Sequence, residues 1–125
     1  MKKLVFFKCQ TCGNVAIKLV SSGVPMFCCG KPMTELLPNS VEAAGEKHKP
    51  VVVQTGSKVL VKVGAIAHPM TPEHYISHIV LQTSEGLYIK QLSPNTLPQA
   101  EFALAEQDRM VAAYSYCNLH GLWEN

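Results

Sequence analysis

The cysteines constrain this chain most, because four of its five lie within the first 29 residues. Cys9 and Cys12 are separated by two residues and followed by Gly13, while Cys28 and Cys29 are adjacent. The two-residue gap lets both sulfurs face one ion, and glycine accommodates the tight turn. Adjacent side chains diverge in extended backbone, so the vicinal pair needs a local turn. The spacing therefore predicts a distorted four-thiolate metal site.

Three interpretations of this cluster compete, namely structural zinc, mononuclear iron, and a redox dithiol at Cys9 and Cys12. Four-sulfur tetrahedra suit zinc and iron alike. A dithiol would leave Cys28 and Cys29 unexplained, and the βαβ pattern typical of such motifs is missing. The sequence thus favours a metal and leaves its identity open.

The compartment is predicted from the apolar runs and the odd number of cysteines. Leu4–Phe7 is too short for the core of a secretory signal, and no stretch approaches the roughly 20 apolar residues of a membrane span. Five cysteines also exclude complete internal pairing. We therefore expect a cytoplasmic protein with no membrane partner. The net charge of +2 and the lack of a dense basic block give no indication of a nucleic-acid partner.

The apolar pattern divides the chain into two predicted domains, 1–37 and 38–125. The first is rich in cysteine and glycine and has only short apolar runs. From residue 51 onward, short β-branched runs alternate with turn residues, which predicts an antiparallel β-sandwich or barrel. The predicted strands are Val51–Val53, Lys58–Val63, Tyr75–Gln82, Leu87–Leu92, Glu101–Ala105 and Met110–Cys117. No helix of normal length is expected, although Glu101–Met110 is compatible with a helical turn.

A second set of metal-ligand residues lies in the larger domain. Cys117 and His120 flank a predicted turn, His68 and His74 bound a proline-containing loop, and His48 precedes the first strand. Zinc usually takes four ligands, so four imidazoles with one thiolate favour iron, which accepts five or six.

These motifs together resemble the desulfoferrodoxin family of two-iron superoxide reductases over essentially the whole chain. The segments that carry the resemblance are the four-cysteine cluster, Glu46-Lys47-His48, His68-Pro69-Met70, Glu73-His74-Tyr75-Ile76 and Cys117-Asn118-Leu119-His120-Gly121-Leu122-Trp123. His78 matches none of them, and we leave it out of the predicted site.

The resemblance implies a small desulforedoxin-like module with a four-cysteine iron, followed by an immunoglobulin-like β-sandwich. It implies a catalytic iron with His48, His68, His74 and His120 in a plane and Cys117 on the axis. The implied reaction is one-electron reduction of superoxide to hydrogen peroxide for superoxide detoxification. A rubredoxin-like electron donor and a homodimer are also implied.

The resemblance further gives roles to the two residues before His48. It implies that Lys47 attracts superoxide and organises the water that supplies protons, and that Glu46 occupies the sixth position of the ferric resting state. Two other classes of protein compete with this interpretation. One is a non-catalytic zinc-binding module, and the other is an electron-transfer protein whose Cys117 site is closed.

Overall fold

The computed structural model describes residues 3–125. Met1 and Lys2, and with them the predicted start of the first domain, lie outside the described residues. Contacts among the described residues group the chain into two compact units, which divide between Leu37 and Pro38. Within the described segment, no helix is both long and apolar enough to cross a membrane.

The first unit is built from five short strands. They are β1 (Phe6–Lys8), β2 (Val15–Ile17), β3 (Phe27–Cys28), β4 (Lys31–Pro32) and β5 (Thr34–Leu36). β1 pairs antiparallel with both β2 and β5, and β3 forms a hairpin with β4. Of residues 3–37, only Phe6 and Cys9 are buried. An apolar core this small stabilises little by itself, so the unit needs another source of stability.

The second unit contains one short helix and seven strands. The helix α1 spans Gly45–His48, and the strands are β6 (Pro50–Thr55), β7 (Lys58–Val63), β8 (Ile76–Thr83), β9 (Leu87–Gln91), β10 (Gln99–Ala103), β11 (Met110–Cys117) and β12 (Gly121–Glu124). They form two antiparallel sheets with the orders β10-β7-β6 and β12-β11-β8-β9.

The core lies between these two sheets. Val59, Val61 and Val63 of β7 are fully buried and belong to the same cluster as residues of β8, β10 and β11. Burial of one valine contributes about 1.5–3 kcal/mol. Cys117 is a member of this cluster and is 0% exposed. The predicted immunoglobulin-like β-sandwich is therefore confirmed, and its core anchors the strand that carries a predicted ligand.

The strand boundaries differ from the sequence prediction in a few places. The alternation predicted for Lys58–Val63 is confirmed, but β8 begins one residue later, at Ile76, and β12 was not predicted at all. The expectation of a helical turn within Glu101–Met110 is wrong. Ala100, Phe102 and Leu104 are buried, whereas Glu101, Ala103 and Ala105 are exposed. Pairing with β7 therefore outweighs the local helix propensity of this segment.

Candidate metal centres

The four sulfurs of the first unit converge at one point. Cys9 follows β1, Cys12 lies in the next turn, Cys28 ends β3, and Cys29 lies in the turn to β4. All four sulfur atoms lie within 4.8 Å of one another, and none of the four residues forms a disulfide. The sulfurs of Cys12 and Cys28 are 3.6 Å apart. A tetrahedral ion with metal–sulfur bonds of about 2.3 Å would separate its ligands by about 3.8 Å.

Local backbone geometry produces this convergence. The N–H of Gly13 donates to the carbonyl of Cys9 over 2.9 Å, and Gly13 has a φ of 85°. Cys29 has a φ of 53° and Gly30 one of 74°, so the chain reverses immediately after Cys28. This left-handed turn is what allows two adjacent side chains to face the same point.

The pKa values of two of these thiols move in opposite directions. A hydrogen bond from the Cys12 N–H lowers the pKa of Cys9 to about 6. Hydrogen bonding to Cys12 and then to Cys9 raises the pKa of Cys29 to about 12. Without a bound ion, the cluster therefore keeps only part of its negative charge. A metal that needs four thiolates fits this donor set, and both zinc and iron have that chemistry.

Four imidazoles form a closed ring in the second unit. The ring centroids are 4.6 Å apart for His48 and His68, 4.7 Å for His68 and His74, 5.0 Å for His74 and His120, and 4.9 Å for His120 and His48. The diagonal from His48 to His74 is longer, at 6.2 Å. Neighbouring rings cross at 77–86°. The arrangement resembles a square whose corners are imidazoles.

Hydrogen bonds to backbone carbonyls assign the ring nitrogens of two of the four histidines. Nδ1 of His48 lies 2.7 Å from the carbonyl of Ala44, and Nδ1 of His68 lies 2.6 Å from that of Pro69. A carbonyl only accepts, so both rings carry their proton on Nδ1 and leave Nε2 as an electron-pair donor. Nε2 of His48 lies 3.0 Å from Nδ1 of His120.

Two ring nitrogens in this cluster are buried and unpaired. Within residues 3–125, neither Nε2 of His68 nor Nε2 of His74 has a hydrogen-bond partner. Buried polar atoms are nearly always paired, and a metal ion is a common reason for an exception. Burial lowers the pKa of His68 to about 4 and also lowers the pKa values of His48 and His74. His48, His68 and His74 are therefore neutral near pH 7, which is the form that binds metals.

The fifth predicted ligand lies beside the imidazoles. The sulfur of Cys117 is 3.8 Å from Nδ1 of His120 and accepts a hydrogen bond of 3.3 Å from the His120 N–H. Donor atoms of His48, His74, Cys117 and His120 lie within 4.8 Å of one another. His68 is outside that set, but its ring contacts the rings of His48 and His74. Burial raises the pKa of Cys117, so a cation is needed to hold its thiolate.

Comparison with known proteins assigns the chain to a family. The family model described as desulfoferrodoxin matches residues 40–125. The chain belongs to the desulfoferrodoxin family.

Some relatives of this desulfoferrodoxin-family chain match nearly all of it. A desulfoferrodoxin of Syntrophotalea carbinolica is 44% identical over 124 residues, which are 99% of this chain and 97% of the relative. The crystal structure of the superoxide reductase from Treponema pallidum matches with a TM-score of 0.83 and 39% identity over 99% of both chains. The superoxide reductase (1Fe-SOR) from Giardia intestinalis matches with a TM-score of 0.55 and 38% identity, covering 64% of this chain and 95% of its own.

The remaining predicted site residues lie on α1. Glu46 and Lys47 are exposed and directly precede His48. Burial and a hydrogen bond to Ala44 have the largest effects on the pKa of His48. The nearby charges act in opposite directions, because Glu46 raises that pKa and Lys47 lowers it. Both side chains are thus electrostatically coupled to the imidazole cluster while facing solvent.

The structure places His78 elsewhere, on β8 between Gln91 of β9 and Tyr116 of β11. Its Nδ1 lies 2.9 Å from the hydroxyl of Ser77, a contact that occupies one of its two ring nitrogens.

Three supporting residues of this family member were not identified from its sequence. The indole of Trp123 stacks on His48 and donates from Nε1 to the carbonyl of His120 over 3.1 Å. The hydroxyl of Ser115, which is fully buried, donates to the carbonyl of His48 over 2.8 Å. Asn118 bonds to the loop that carries His74. Ser115 was detectable in principle, because it lies two residues before Cys117 and so shares its face of β11.

Proposed function

We propose that this protein is a superoxide reductase, which converts superoxide, one electron and two protons to hydrogen peroxide. The observation that carries the proposal is the square of four imidazoles with a buried cysteine beside it. Two nitrogens in that square, in His68 and His74, are buried and unpaired within residues 3–125. The family assignment and the superoxide reductase from Treponema pallidum support the same reaction.

The proposed catalytic iron is held by five residues, which are His48, His68, His74, His120 and Cys117. When bound, iron would supply one-electron chemistry, and a thiolate ligand would increase the electron density available to its substrate. The chain itself holds the imidazoles of His48, His68 and His74 neutral by burial. It also stabilises charge on Cys117 through the N–H groups of His120 and Leu119, which lower the pKa that burial raises.

Lys47 and Glu46 are proposed to act on the substrate and product from the solvent side. Superoxide is an anion, so the exposed ammonium of Lys47 would raise its local concentration and its rate of association. We further propose that Lys47 orders the water that delivers protons. Glu46 carries the opposite charge one residue away, and we propose that its carboxylate would help to hold the oxidised iron in its resting state.

The first unit is proposed to hold a second iron through Cys9, Cys12, Cys28 and Cys29. On this proposal residues 1–37 form a desulforedoxin-like module, and residues 38–125 form the catalytic domain. With only two buried residues in its described part, the module would depend on its metal to fold. We assign this iron a structural or auxiliary role.

We also propose a cellular compartment, an electron donor and an oligomeric state. All five cysteines are free, which suits a reducing cytoplasm. A rubredoxin-like protein is the proposed electron donor, in keeping with a role in electron transport, and the proposed assembly is a homodimer.

Iron counting combined with superoxide-dependent oxidation tests the function. The purified protein should contain two irons per chain and show the red to pink colour of a ferric four-thiolate site. Oxidation should add a long-wavelength thiolate-to-iron band. After reduction, a pulse of superoxide should oxidise the second site and yield hydrogen peroxide without dioxygen. A colourless protein with two zinc ions, or one whose reduced iron ignores superoxide, would refute the proposal.

A further inference from the structure

Asn118 connects the loop that carries His74 to the turn that carries Cys117 and His120. Its side-chain Nδ2 donates to the carbonyl of Glu73 over 3.0 Å, and its Oδ1 accepts from the N–H of Tyr75 over 2.9 Å. Its backbone N–H donates to the carbonyl of Tyr75 over 3.2 Å. Glu73 and Tyr75 are the two neighbours of His74. One residue therefore holds the chain on both sides of one proposed ligand.

These bonds extend the sheet beyond its last backbone pair. The pairing of β8 with β11 ends at Ile76 and Cys117, and its register shifts between Tyr116 and Cys117. The direction of the chain after such a shift is set by whatever contacts follow it. Here the contacts that follow are those of Asn118, so this residue determines how the two segments separate.

The loop on the other side of the contact is internally closed. The N–H of His74 donates to the carbonyl of Thr71 over 3.1 Å, and the N–H of Thr71 donates to that of His74 over 3.0 Å. The Thr71 hydroxyl also accepts from the His74 N–H over 3.2 Å. These bonds hold the backbone of Thr71 and His74 in one conformation. The position of this loop relative to Cys117 then depends on Asn118.

We propose that Asn118 is a positioning residue that sets the distance from His74 to Cys117 and His120, and thereby how tightly the metal is held. The inference rests on the proposed function only in naming iron as the metal. Asn118 is exposed, so water competes for its hydrogen bonds and their contribution to global stability is small. Its substitution should therefore alter the metal site much more than the folding of the domain.

Asn39 offers a matched control in the same unit. Its Nδ2 donates to the carbonyl of Glu124 over 3.1 Å, and its Oδ1 accepts from the N–H of Glu124 over 2.8 Å. This is the same pair of amide bonds to backbone, but it joins no proposed ligand. Asn118→Asp and Asn39→Asp each remove one amide donor, so the two variants can be compared directly. Asn118→Ala removes both side-chain bonds.

The test uses the full-length, iron-loaded protein. Release of the second iron to a chelator is followed through the decay of its thiolate-to-iron band, and the position of that band is recorded. We expect Asn118→Ala to release iron about 10- to 100-fold faster, the usual effect of losing a residue that orients a ligand, and to shift the band. Asn118→Asp has no donor for the Glu73 carbonyl and turns a carboxylate oxygen toward it, so it should also release iron faster than the native protein, while Asn39→Asp should leave both readouts unchanged.

Unchanged release and an unchanged band in Asn118→Ala would overturn the inference, as would an equal effect in Asn39→Asp. The same four proteins loaded with Co²⁺ separate this result from the proposed function. If the native protein ignores superoxide, the reductase proposal fails. The Co²⁺ release rates and spectra then still decide whether Asn118 positions the ligands.

Discussion

The indole ring of Trp123 lies over the imidazole of His48, with centroids 4.9 Å apart and planes inclined by 28°. Trp123 is 3% exposed, and its Nε1 donates to the carbonyl of His120. One side chain thus contacts two residues of the imidazole square, by stacking on the first and by a hydrogen bond to the second. The stack and the hydrogen bond to Ala44 therefore both restrain the ring of His48.

Two substitutions separate these contributions of Trp123. Trp123→Phe keeps an aromatic ring over His48 but loses the hydrogen bond, and we expect it to cost about 1 kcal/mol in free energy of unfolding. Trp123→Leu also loses the stack and should cost about 2–4 kcal/mol. Denaturant unfolding measures both values. Equal losses in the two variants would show that stacking contributes nothing to stability.

Gly64 allows α1 to approach the loop after β7. A Cβ placed there would lie 2.7 Å from the carbonyl oxygen of Glu46 and 3.0 Å from that of Lys49. Since both contacts are with backbone, we expect Gly64→Ala to displace α1 and cost about 1–3 kcal/mol. Gly45→Ala is the control, because its nearest contact is a flexible Lys49 side-chain carbon at 3.8 Å. Thermal unfolding compares the stability of the two variants. A Gly64→Ala variant as stable as the native protein would contradict the prediction.

Asp108 should make the second unit sensitive to acid. Burial would raise its pKa, but bonds from the hydroxyls of Thr83 and Ser84 and from the N–H groups of Glu85 and Arg109 outweigh burial and lower it. The folded protein therefore prefers the carboxylate. This contribution is complete above the ordinary aspartate pKa of about 4 and is lost as the pH falls through the lower pKa of the folded state.

Asp108→Asn provides the measurement for that prediction. At pH 7 the variant should be less stable than the native protein, because an amide cannot accept all of these bonds. The difference in free energy of unfolding should shrink as the pH is lowered from 6 to 3. A constant difference across this range would mean that Asp108 does not have the lowered pKa.

Lys47 should accelerate the encounter with superoxide. Lys47→Ile removes an exposed positive charge next to His48, and we expect the bimolecular rate in pulse radiolysis to fall roughly 3- to 10-fold at low salt. Its dependence on ionic strength should flatten as well. Lys49→Ile removes another exposed charge two residues away and should have a smaller effect. Equal effects of the two substitutions would indicate that only net charge matters.

The sequence alone determined the donor types and the local turns. Cys9 and Cys12 are close enough in the chain for their spacing to require a shared turn. The local turn that Cys28 and Cys29 demand is also present, with Cys29 at a φ of 53°. The alternation in β7 also follows directly from the residues, because side chains along a strand point to opposite faces whatever the partner. Such features depend only on residues a few positions apart.

The tertiary structure decided which distant groups converge. His48 and His120 are 72 positions apart, yet their ring nitrogens lie 3.0 Å from each other. His78 has the same side chain but lies within β8, bonded to Ser77, and only the sheet register places it there. The roles of Asn118 and Trp123 were likewise invisible, since each depends on backbone from another segment. Local propensity describes a residue and its neighbours, whereas ligand convergence and support come from long-range strand pairing and packing.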